Sequence, residues 1–370
     1  MSKHLGKREA QRELRKLISE IENGEYVEPT TDTVGDMLDR WLDSVEAAAS
    51  VRPKTLENYR LICDSYLRPF LGQYPIPKVS PAAIDRAYKE LRAKPSNRGG
   101  VISPRTVSHA HRTLSESYKW AVARGLVQSN PCDRVKAPKF PKPEIRLIEP
   151  TEMKKILDYL ESHSAWAVVP TVLALTTGAR RSELLGLRWA DVQLDSGQLS
   201  IQRGLSQLRD QSTQIQPTKT VRSNRQIALT AVAIKTLQTW KSTQRENAKA
   251  AGLTLRSSDP VFSDPPVDGD ADVWRSYLPS SLSQAFSRAC KHLNLTGVSF
   301  KSLRHTHAST LLRSNIHPKV VQERLGHSTI TTTLDVYSHV TPGLQEAAAQ
   351  AFDQAFVTGN QSTDRQIEDS

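Results

Sequence analysis

Apolar residues recur at helical spacing through the first third of the chain. Sets of apolar and aromatic side chains repeat every three or four positions, as they do along one face of an amphipathic helix. These sets are Leu14, Leu17, Ile18 and Ile21; Val34, Leu38, Trp41 and Leu42; Leu56, Tyr59, Ile62 and Tyr66; and Val107, His111, Leu114, Tyr118 and Ala121. Prolines, which interrupt helices, separate the sets at positions 53, 75, 77, 95 and 104. The pattern predicts a polar helix over residues 7–21 and then a four-helix module that extends to residue 136.

The pattern changes in the second part of the chain, where helical and strand-like periods alternate. Helical spacing covers residues 151–160 and 166–175 and returns from residue 231 onward, while residues 199–201 and 225–229 alternate like strands. We expect Thr151 to cap the first of these helices. A polar loop over residues 257–272 interrupts the later helices. The sequence therefore predicts a mainly α fold with a small β-sheet.

A short segment rich in proline and lysine lies between these two parts. Residues 136–143 contain three prolines and three lysines, namely Pro138, Pro141, Pro143, Lys136, Lys139 and Lys142. Because prolines favour extended polyproline geometry, the segment predicts a semi-rigid basic linker at a domain boundary. Such a linker suits a chain that crosses a DNA duplex with one domain on each face. A solvated spacer would have the same composition.

These patterns divide the chain into two domains and several shorter segments. The predicted segments are a polar N-terminal helix (1–30), a helical domain (31–136), the basic linker (137–146), a larger mixed domain (147–340), a C-terminal helix (341–358) and a polar tail (359–370). The tail lacks the apolar residues that a core requires, so we expect it to be disordered.

The net charge of the chain indicates what kind of partner the protein binds. The 370 residues carry a formal net charge of +11, and the pI is about 9.5. A basic excess favours a polyanionic partner, because binding to a nucleic acid releases condensed counterions. Ribosome-associated and membrane-surface proteins share this signal, so charge does not by itself identify DNA as the partner.

Cysteine usage and hydropathy indicate the compartment. Cys63, Cys132 and Cys290 are isolated from one another, which argues against a disulfide framework or a zinc finger and favours the reducing cytoplasm. The charged N-terminus does not resemble a secretory signal. The sequence also contains no apolar run of the roughly 18 residues that a membrane-spanning helix needs.

The last quarter of the chain contains a tyrosine in the position of a DNA-cleaving nucleophile. Tyr337 follows His327, Arg304 precedes both, and Arg180 supplies a second arginine. Arginines hold a phosphodiester through paired hydrogen bonds and stay protonated at working pH. A tyrosine has an ordinary pKa of about 10, so it needs such cations before it can attack. Tyr337 could equally be a half-buried aromatic residue and His327 a helix-end residue, and Arg180 could simply pair with Glu183.

The sequence gives less specific indications of function at other candidate residues. Lys219 lies in the basic, turn-rich segment 216–225, where a mobile turn could deliver a proton to a departing 5′ oxygen; a solvated lysine is the alternative. His305 and His307 have the spacing of half a metal site, but further ligands at suitable spacing are missing, so we predict no bound metal. Residues 316–326 resemble a helix-turn-helix fragment, which is a loose pattern.

Taken together, these segments resemble the tyrosine recombinase (phage integrase) family. Residues 177–189 resemble its first arginine box, residues 301–309 its second, and residues 325–328 together with 332–339 its final block. The resemblance implies a helical core-binding domain followed by a mixed α/β catalytic domain. It also implies that the protein cleaves and rejoins duplex DNA without a cofactor or a metal, because a covalent protein–DNA link conserves the bond energy.

The resemblance assigns a role to each matching residue. Tyr337 would attack the scissile phosphate and form a 3′-phosphotyrosyl link with release of a 5′ hydroxyl. Arg180 and Arg304 would hold the phosphate, and His327 would hydrogen-bond a nonbridging oxygen. Lys219 would protonate the leaving oxygen.

Lys301 departs from the family pattern. Histidine usually occupies this position, three residues before Arg304, where it is suited to accept the proton of the tyrosine. A lysine at its ordinary pKa is cationic and better suited to holding phosphate. The role of Lys301 is therefore open between an electrostatic contact and a lysine whose depressed pKa lets it accept the proton. Glu183 would support the site from behind the residues that touch phosphate.

The resemblance also implies partners. It implies double-stranded DNA attachment sites, a homotetramer on DNA, a host DNA-bending protein, an excisionase and a location in the bacterial cytoplasm with the nucleoid. The C-terminal helix over residues 341–358 would dock on a neighbouring protomer or pack on its own domain. Residues 1–30 contain too few apolar residues for a folded arm-binding domain, so their helix contacts arm sites by itself or the protein works without such a domain.

Several functions share this chemistry. The leading hypothesis is an integrase of a phage or another mobile element, and the alternative with the same reaction is a recombinase that resolves chromosome dimers. The length, the basic N-terminal helix and the loop over residues 257–272 favour the first. A type IB topoisomerase and a catalytically inactive DNA-binding regulator are further alternatives. The intact set of candidate catalytic residues argues against the regulator.

Overall fold

The computed structural model describes residues 7–22, 30–96, 99–141, 146–218, 224–265, 274–337, 349–350 and 352–353. The chain separates into two units, Met1–Pro143 and Glu144–Ser370, and the division falls within the proline- and lysine-rich segment. Each unit has a hydrophobic core. Within the described residues, no helix combines the length and the apolarity that crossing a bilayer would require.

The first unit is built from helices. They are α1 (Lys7–Glu22), α2 (Val34–Ala47), α3 (Pro53–Ile62), α4 (Arg68–Leu71), α5 (Pro81–Ala93) and α6 (Pro104–Ala123). A π-helical turn, Cys63–Leu67, joins α3 to α4, and short 3-10 helices span Ile76–Lys78 and Pro131–Arg134. The apolar sets of the sequence fall on α1, α2, α3 and α6, apart from Tyr66 in the π-helical turn, which confirms helices at these places.

Capping residues and prolines fix where these helices begin. Thr33 and Asp36 form a capping box at the start of α2. The side chains of Ser80 and Ser103 accept backbone N–H groups at the starts of α5 and α6, and a proline follows each serine. A proline at the first helical position loses no helical hydrogen bond and presets the backbone angle. The helices enclose a core that includes the fully buried Tyr118.

The second unit combines eight helices, among its described residues, with short strands. The helices are α7 (Pro150–Ser164), α8 (Val168–Thr177), α9 (Arg181–Leu185), α10 (Ala231–Ala250), α11 (Pro279–His292), α12 (Phe300–Arg313), α13 (Pro318–Leu325) and α14 (Ile330–Tyr337). The strands are β1 (Val192–Gln193), β2 (Gln198–Ile201), β3 (Arg203–Gln207), β4 (Thr213–Pro217), β5 (Arg225–Ala228), β6 (Ser263–Asp264) and β7 (Arg275–Ser276). A mainly helical fold with small sheets is confirmed.

The predicted cap of α7 was wrong. Glu149 rather than Thr151 precedes the helix, because Pro150 takes the first helical position. The carboxylate of Glu152 accepts a hydrogen bond from the backbone N–H of Glu149 at 3.2 Å. Thr151 therefore lies inside the first turn.

Among the described residues, the strands form three small antiparallel sheets, one of which pairs β6 with β7, and the sequence predicted only part of this arrangement. β2 pairs with β1 and β5, and β3 pairs with β4. The register sets Ile201 opposite Arg225 and Arg203 opposite Pro217.

The pairing of β3 with β4 was missed by the sequence analysis. Leu205 is the fully buried apolar side chain of this hairpin, whereas Ile215 is 46% exposed. Both faces otherwise carry polar residues, so the hairpin lacks the apolar–polar alternation by which strands are recognised. Its position is set by close packing, because a Cβ on Gly186 would lie 2.8 Å from the Cα of Gly204.

Some predicted segments lie wholly or partly outside the described residues. These are most of the C-terminal helix over residues 341–358, the tail over 359–370, parts of the N-terminal segment and of the linker, and residues 266–273 of the polar loop.

Candidate active site

The candidate site lies in the second unit, around the end of α8, the start of α9, the end of α13 and the start of α14. Gly178 ends α8 in the left-handed conformation, with φ of +66°, and Gly326 ends α13 in the same way, with φ of +65°. These turns come two residues before Arg180 and one residue before His327. A side chain at either glycine would be strained by this backbone conformation. The sequence thus places two candidate residues just after two sharp turns.

Arg304 lies in α12 and is 9% exposed. Its Nη1 donates to the carbonyl oxygen of Gly178 at 2.7 Å, and its Nη2 donates to that of Leu325 at 2.8 Å. Burial, and then the neighbouring charge of Arg180, lower the pKa of Arg304 to about 9. The guanidinium therefore remains protonated at neutral pH, and the two helix ends hold it in one orientation.

Arg180 lies beside Arg304 and is more accessible, with a side chain 40% exposed. Its Nη2 donates to the carbonyl oxygen of Gly326 at 3.0 Å. The two arginines therefore contact successive carbonyl groups, those of Leu325 and Gly326, on the turn that leads into His327. The structure brings both predicted arginines together. We call Arg180 and Arg304 the arginine clamp.

Glu183 supports the arginine clamp from the interior. Its side chain is 6% exposed and accepts from Nη1 of Arg180 at 2.6 Å and from Nη2 of Arg225 at 2.8 Å. Burial opposes ionisation, but the hydrogen bond and charge of Arg225, and then the charge of Arg180, outweigh it and lower the pKa of the carboxyl group. An ionised Glu183 holds Arg180 in place, so the predicted pairing of the two is present.

His327 is held on the same turn. Its Nδ1 lies 2.8 Å from Oγ1 of Thr333 in α14, and its backbone N–H donates to the carbonyl oxygen of Gln322 at 3.1 Å. Burial, and then the charges of Arg304 and Arg180, lower the pKa of His327 to about 3. The imidazole is therefore neutral at neutral pH. Its contact with Thr333 ties its ring to the helix that ends at Tyr337.

The structure says less about the other three candidate residues, Lys301, Tyr337 and Lys219. Lys301 lies in the first turn of α12 with an exposed side chain, one turn before Arg304. Tyr337 is the last residue of α14, and its side chain lies outside the description. Lys219 belongs to residues 219–223, which lie outside the described residues. The hydroxyl of Thr218 and the amide oxygen of Asn224, on either side of that segment, are 2.6 Å apart in a hydrogen bond.

His307 and Arg324 form a part-buried contact that the sequence does not indicate. His307 is 8% exposed, its Nδ1 lies 2.8 Å from the carbonyl oxygen of Leu175, and its Nε2 accepts from Nε of Arg324 at 3.0 Å. Both ring nitrogens are thus used in packing α12 and α13 against α8. Within the described residues, no cluster of three or more potential ligands could hold a metal ion.

Arg225 was also missed as a site residue, because it was interpreted only as the start of a strand. Its side chain is 6% exposed beside Glu183. The sequence near Arg225 does not show that its side chain is buried, because its acidic partner, Glu183, lies 42 residues away.

Three buried or half-buried histidines predict that stability falls on mild acidification. Burial lowers the pKa of His305 and of His307 to about 4, and that of His327 to about 3, from an ordinary value of 6.5. Between pH 6.5 and about 4 the unfolded chain binds protons that the folded chain does not, so stability is lost as pH falls. We expect the urea midpoint to fall from pH 7 to pH 4.5.

The variant His307→Gln isolates one of these groups. The fully titrating His307 contributes a slope of about 1.4 kcal/mol per pH unit, so the variant should show a shallower fall. Equal pH dependence in the two proteins would show that His307 is not responsible.

Comparisons with known proteins fit this arrangement. The phage integrase family model matches residues 146–343, which is more than half of the chain. The chain belongs to the phage integrase family. The model of the phage integrase N-terminal SAM-like domain matches residues 33–92 in the first unit. DNA strand cleavage and religation is the activity of this family, so the protein is an enzyme of the tyrosine recombinase class.

Relatives of this integrase-family protein match most of its length. The tyrosine recombinase XerC-like protein of Caldanaerobacter subterraneus subsp. tengcongensis is 27% identical over 369 residues, covering 95% of this chain and 90% of the relative. The ICEBs1 integrase of Bacillus subtilis is 24% identical over 302 residues, covering 82% of this chain and 78% of the relative. The family boxes therefore lie within a similarity that spans both units.

Solved structures show the same fold. The Tn1549 transposon integrase in complex with a circular intermediate DNA has a TM-score of 0.68 at 18% identity, covering 87% of this chain and 99% of that one. A lambda integrase tetramer bound to a Holliday junction has a TM-score of 0.59 at 22% identity, covering 90% of this chain and 84% of that one.

Proposed function

We propose that this enzyme is a site-specific integrase that moves a phage or another mobile element into and out of a bacterial chromosome. One observation carries the proposal for the site: Arg180 and Arg304 converge on the turn that leads into His327. His327 is in turn tied to the helix that ends at Tyr337. A clamp of two guanidinium groups next to a neutral imidazole suits a phosphodiester whose nonbridging oxygens gain charge during attack.

The reaction that this arrangement supports proceeds through a covalent link to DNA. The oxygen of Tyr337 loses its proton to water and attacks the scissile phosphorus, and the bond between phosphorus and the 5′ oxygen breaks. Arg180 and Arg304 stabilise the negative charge, and the neutral His327 donates a hydrogen bond to a nonbridging oxygen. Lys219 gives its proton to the departing oxygen. Reversal with a 5′ hydroxyl from another strand rejoins the DNA and frees the tyrosine.

Lys301 contributes through its charge in this proposal. Its side chain is exposed in the first turn of α12, where it is open to contact with the DNA backbone. A cation there attracts the DNA backbone and adds to the clamp.

The cleavage rates of two alanine variants, compared with each other, test the role of Lys301. We expect Lys301→Ala to slow single-turnover cleavage less than Arg304→Ala does, because an exposed cation contributes less than a fixed, doubly bonded guanidinium. Lys291→Ala, in α11, serves as a control for the loss of one positive charge. Equal losses for Lys301→Ala and Arg304→Ala would contradict the ordering.

The proposed partners follow from the family reaction. We expect double-stranded attachment sites, a homotetramer on DNA, and help from a host DNA-bending protein and an excisionase. Action on a chromosome places the enzyme in the bacterial cytoplasm. The similarity to ICEBs1 integrase and to Tn1549 transposon integrase supports a mobile element. The similarity to a XerC-like recombinase supports the alternative, resolution of chromosome dimers.

Covalent trapping on nicked DNA tests the proposed function. The protein is mixed with a library of nicked duplexes drawn from host and element junctions, and denaturant-resistant adducts are isolated and sequenced. The proposal expects adducts at one class of junction. Relaxation of a supercoiled plasmid that lacks such junctions would favour a topoisomerase, and tight binding without adducts would favour a DNA-binding regulator.

A further inference from the structure

Three successive carbonyl groups at the end of α13, those of residues 324–326, each accept a hydrogen bond from a different arginine. Arg225 donates from Nε to the first at 2.7 Å, Arg304 from Nη2 to the second at 2.8 Å, and Arg180 from Nη2 to the third at 3.0 Å. Carbonyl groups at the C-terminal end of a helix lack partners within the helix and carry partial negative charge, so they attract cations. The end of α13 therefore brings three guanidinium groups to one turn.

Arg225 is the one of the three that the proposed reaction does not use. Its side chain is 6% exposed, whereas that of Arg180 is 40% exposed. Its Nη2 donates to Oε2 of Glu183 at 2.8 Å, and its Nη1 donates to Oε1 at 3.3 Å. Because a buried guanidinium is stable only when it is paired and hydrogen-bonded, these bonds and the bond to α13 hold Arg225 in one orientation.

Glu183 is the carboxylate that Arg225 and Arg180 share. Its Oε1 accepts from Nη1 of Arg180 at 2.6 Å, and its Oε2 accepts from the backbone N–H of Arg180 at 2.8 Å. Each oxygen of the carboxylate therefore contacts both arginines. Burial raises the pKa of Glu183, and among the opposing influences the hydrogen bond and the charge of Arg225 are larger than the charge of Arg180. Arg225 is consequently the main cation that keeps Glu183 ionised.

The guanidinium of Arg225 also lies against the turn that follows α13. A Cβ on Gly326 would lie 2.9 Å from Nη1 of Arg225 and 3.2 Å from its Cζ. Gly326 immediately precedes His327, and its φ of +65° makes the turn sharp. The turn and the carboxylate therefore enclose the guanidinium of Arg225 from two sides, so its place relative to Glu183 is set.

We infer that Arg225 is a positioning residue for the arginine clamp: held at the end of α13, it orients Glu183, and Glu183 orients Arg180. The inference rests on the proposed function, in which Arg180 holds the scissile phosphate. Arg225 acts from behind the carboxylate and is not itself a phosphate contact in this account. Its replacement should therefore slow cleavage while changing DNA affinity much less.

The ionisation of Glu183 gives this role a signature in the pH profile of cleavage. Within the described residues, the cations that face the carboxylate are Arg180 at the start of α9, Arg225 on β5 and Arg304 on α12. Loss of the charge of Arg225 leaves the effect of burial less opposed, so the pKa of Glu183 rises. Cleavage should then be lost as the pH falls through that raised pKa. In the wild-type protein the pKa lies below its ordinary value of 4.5, so Glu183 stays ionised between pH 6 and pH 8.

The test measures single-turnover cleavage by the full-length protein at a junction identified by covalent trapping. At saturating protein and pH 8, we expect Arg225→Gln to cleave about 10- to 100-fold more slowly than wild type, because a small displacement of a group that holds the substrate is costly. The loss should be larger at pH 6. Arg225→Lys keeps the charge, so it should lose less and keep the wild-type pH profile. Arg275→Gln, which removes an exposed arginine on β7, controls for the loss of one positive charge and should cleave nearly as wild type.

A double-mutant cycle with Glu183→Gln identifies the route by which Arg225 acts. If Arg225 acts through Glu183, Arg225→Gln should cost about twofold or less in the Glu183→Gln background, since coupled residues are not additive. The added pH dependence should also disappear, because the titrating carboxyl group is gone. Equal losses in the two backgrounds would overturn the inference, as would a wild-type rate for Arg225→Gln.

These outcomes are distinct from failure of the proposed function. A wild-type protein that forms no adduct at any junction would contradict the proposed function, whereas wild-type cleavage with an additive cycle would contradict the role of Arg225 alone. Urea unfolding and DNA affinity report whether each variant folds. If Arg225→Gln does not fold, the cycle is run with Arg225→Lys, and equal losses in the two backgrounds, or no loss, overturn the inference. If Glu183→Gln does not fold, identical pH profiles for wild type and Arg225→Gln overturn it.

Discussion

Replacement of Tyr337 by phenylalanine is expected to abolish the covalent protein–DNA adduct while leaving DNA affinity within about twofold of wild type. The substitution removes a single oxygen, which is the atom that attacks phosphorus, and preserves the aromatic ring at the end of α14. The measurement is the fraction of labelled nicked DNA that remains bound to protein in denaturant.

Tyr159→Phe provides a matched control for Tyr337→Phe. Tyr159 lies on α7, where its ring stacks on His163 at a centroid distance of 4.1 Å, a contact that phenylalanine retains. This variant should form adduct at the wild-type level. Adduct formation by Tyr337→Phe would show that another residue attacks the phosphate.

Arg304→Ala is expected to reduce the cleavage rate by about 10³- to 10⁵-fold, the range for a correctly placed arginine in phosphoryl transfer. Arg304 has a fixed orientation, because its guanidinium donates to two helix-end carbonyls at 2.7 and 2.8 Å. The loss should appear in the single-turnover rate at saturating protein, with a much smaller change in DNA affinity.

Two further variants support the interpretation of Arg304→Ala. Arg304→Lys keeps a positive charge but cannot contact both carbonyls and a phosphate, so its loss should approach that of alanine. Arg313→Ala, at the exposed end of the same helix, controls for net charge and should cleave nearly as wild type. Equal rates for Arg304→Ala and Arg313→Ala would show that the clamp does not stabilise the reacting phosphate.

Much of the site could be predicted because its residues occur in short, ordered motifs. Arg180 and Glu183 are three positions apart at the start of α9, so local geometry brings them together. Gly178 and Gly326 mark the turns that lead to Arg180 and His327. The helices could also be predicted, because their apolar residues repeat at helical spacing around a buried core.

The rest of the site depends on contacts between residues that are distant in sequence. Arg225 pairs with Glu183 across 42 positions, and His307 contacts Leu175 across 132. No local pattern distinguishes a buried arginine or histidine of this kind from an exposed one. The hairpin of β3 and β4 was hidden for another reason, because backbone pairing and the close approach of two glycines stabilise it rather than an apolar face.

The central claim is that Tyr337 attacks the DNA, and the most direct test is to identify the residue that is joined to DNA in the trapped adduct. The adduct formed by the wild-type protein is digested with protease and nuclease, and the linked peptide is sequenced by mass spectrometry. The account predicts one peptide, in which Tyr337 carries the 3′ phosphate of the cleaved strand and the other DNA end is a free 5′ hydroxyl. Linkage to a different residue, or to a 5′ phosphate, would contradict it.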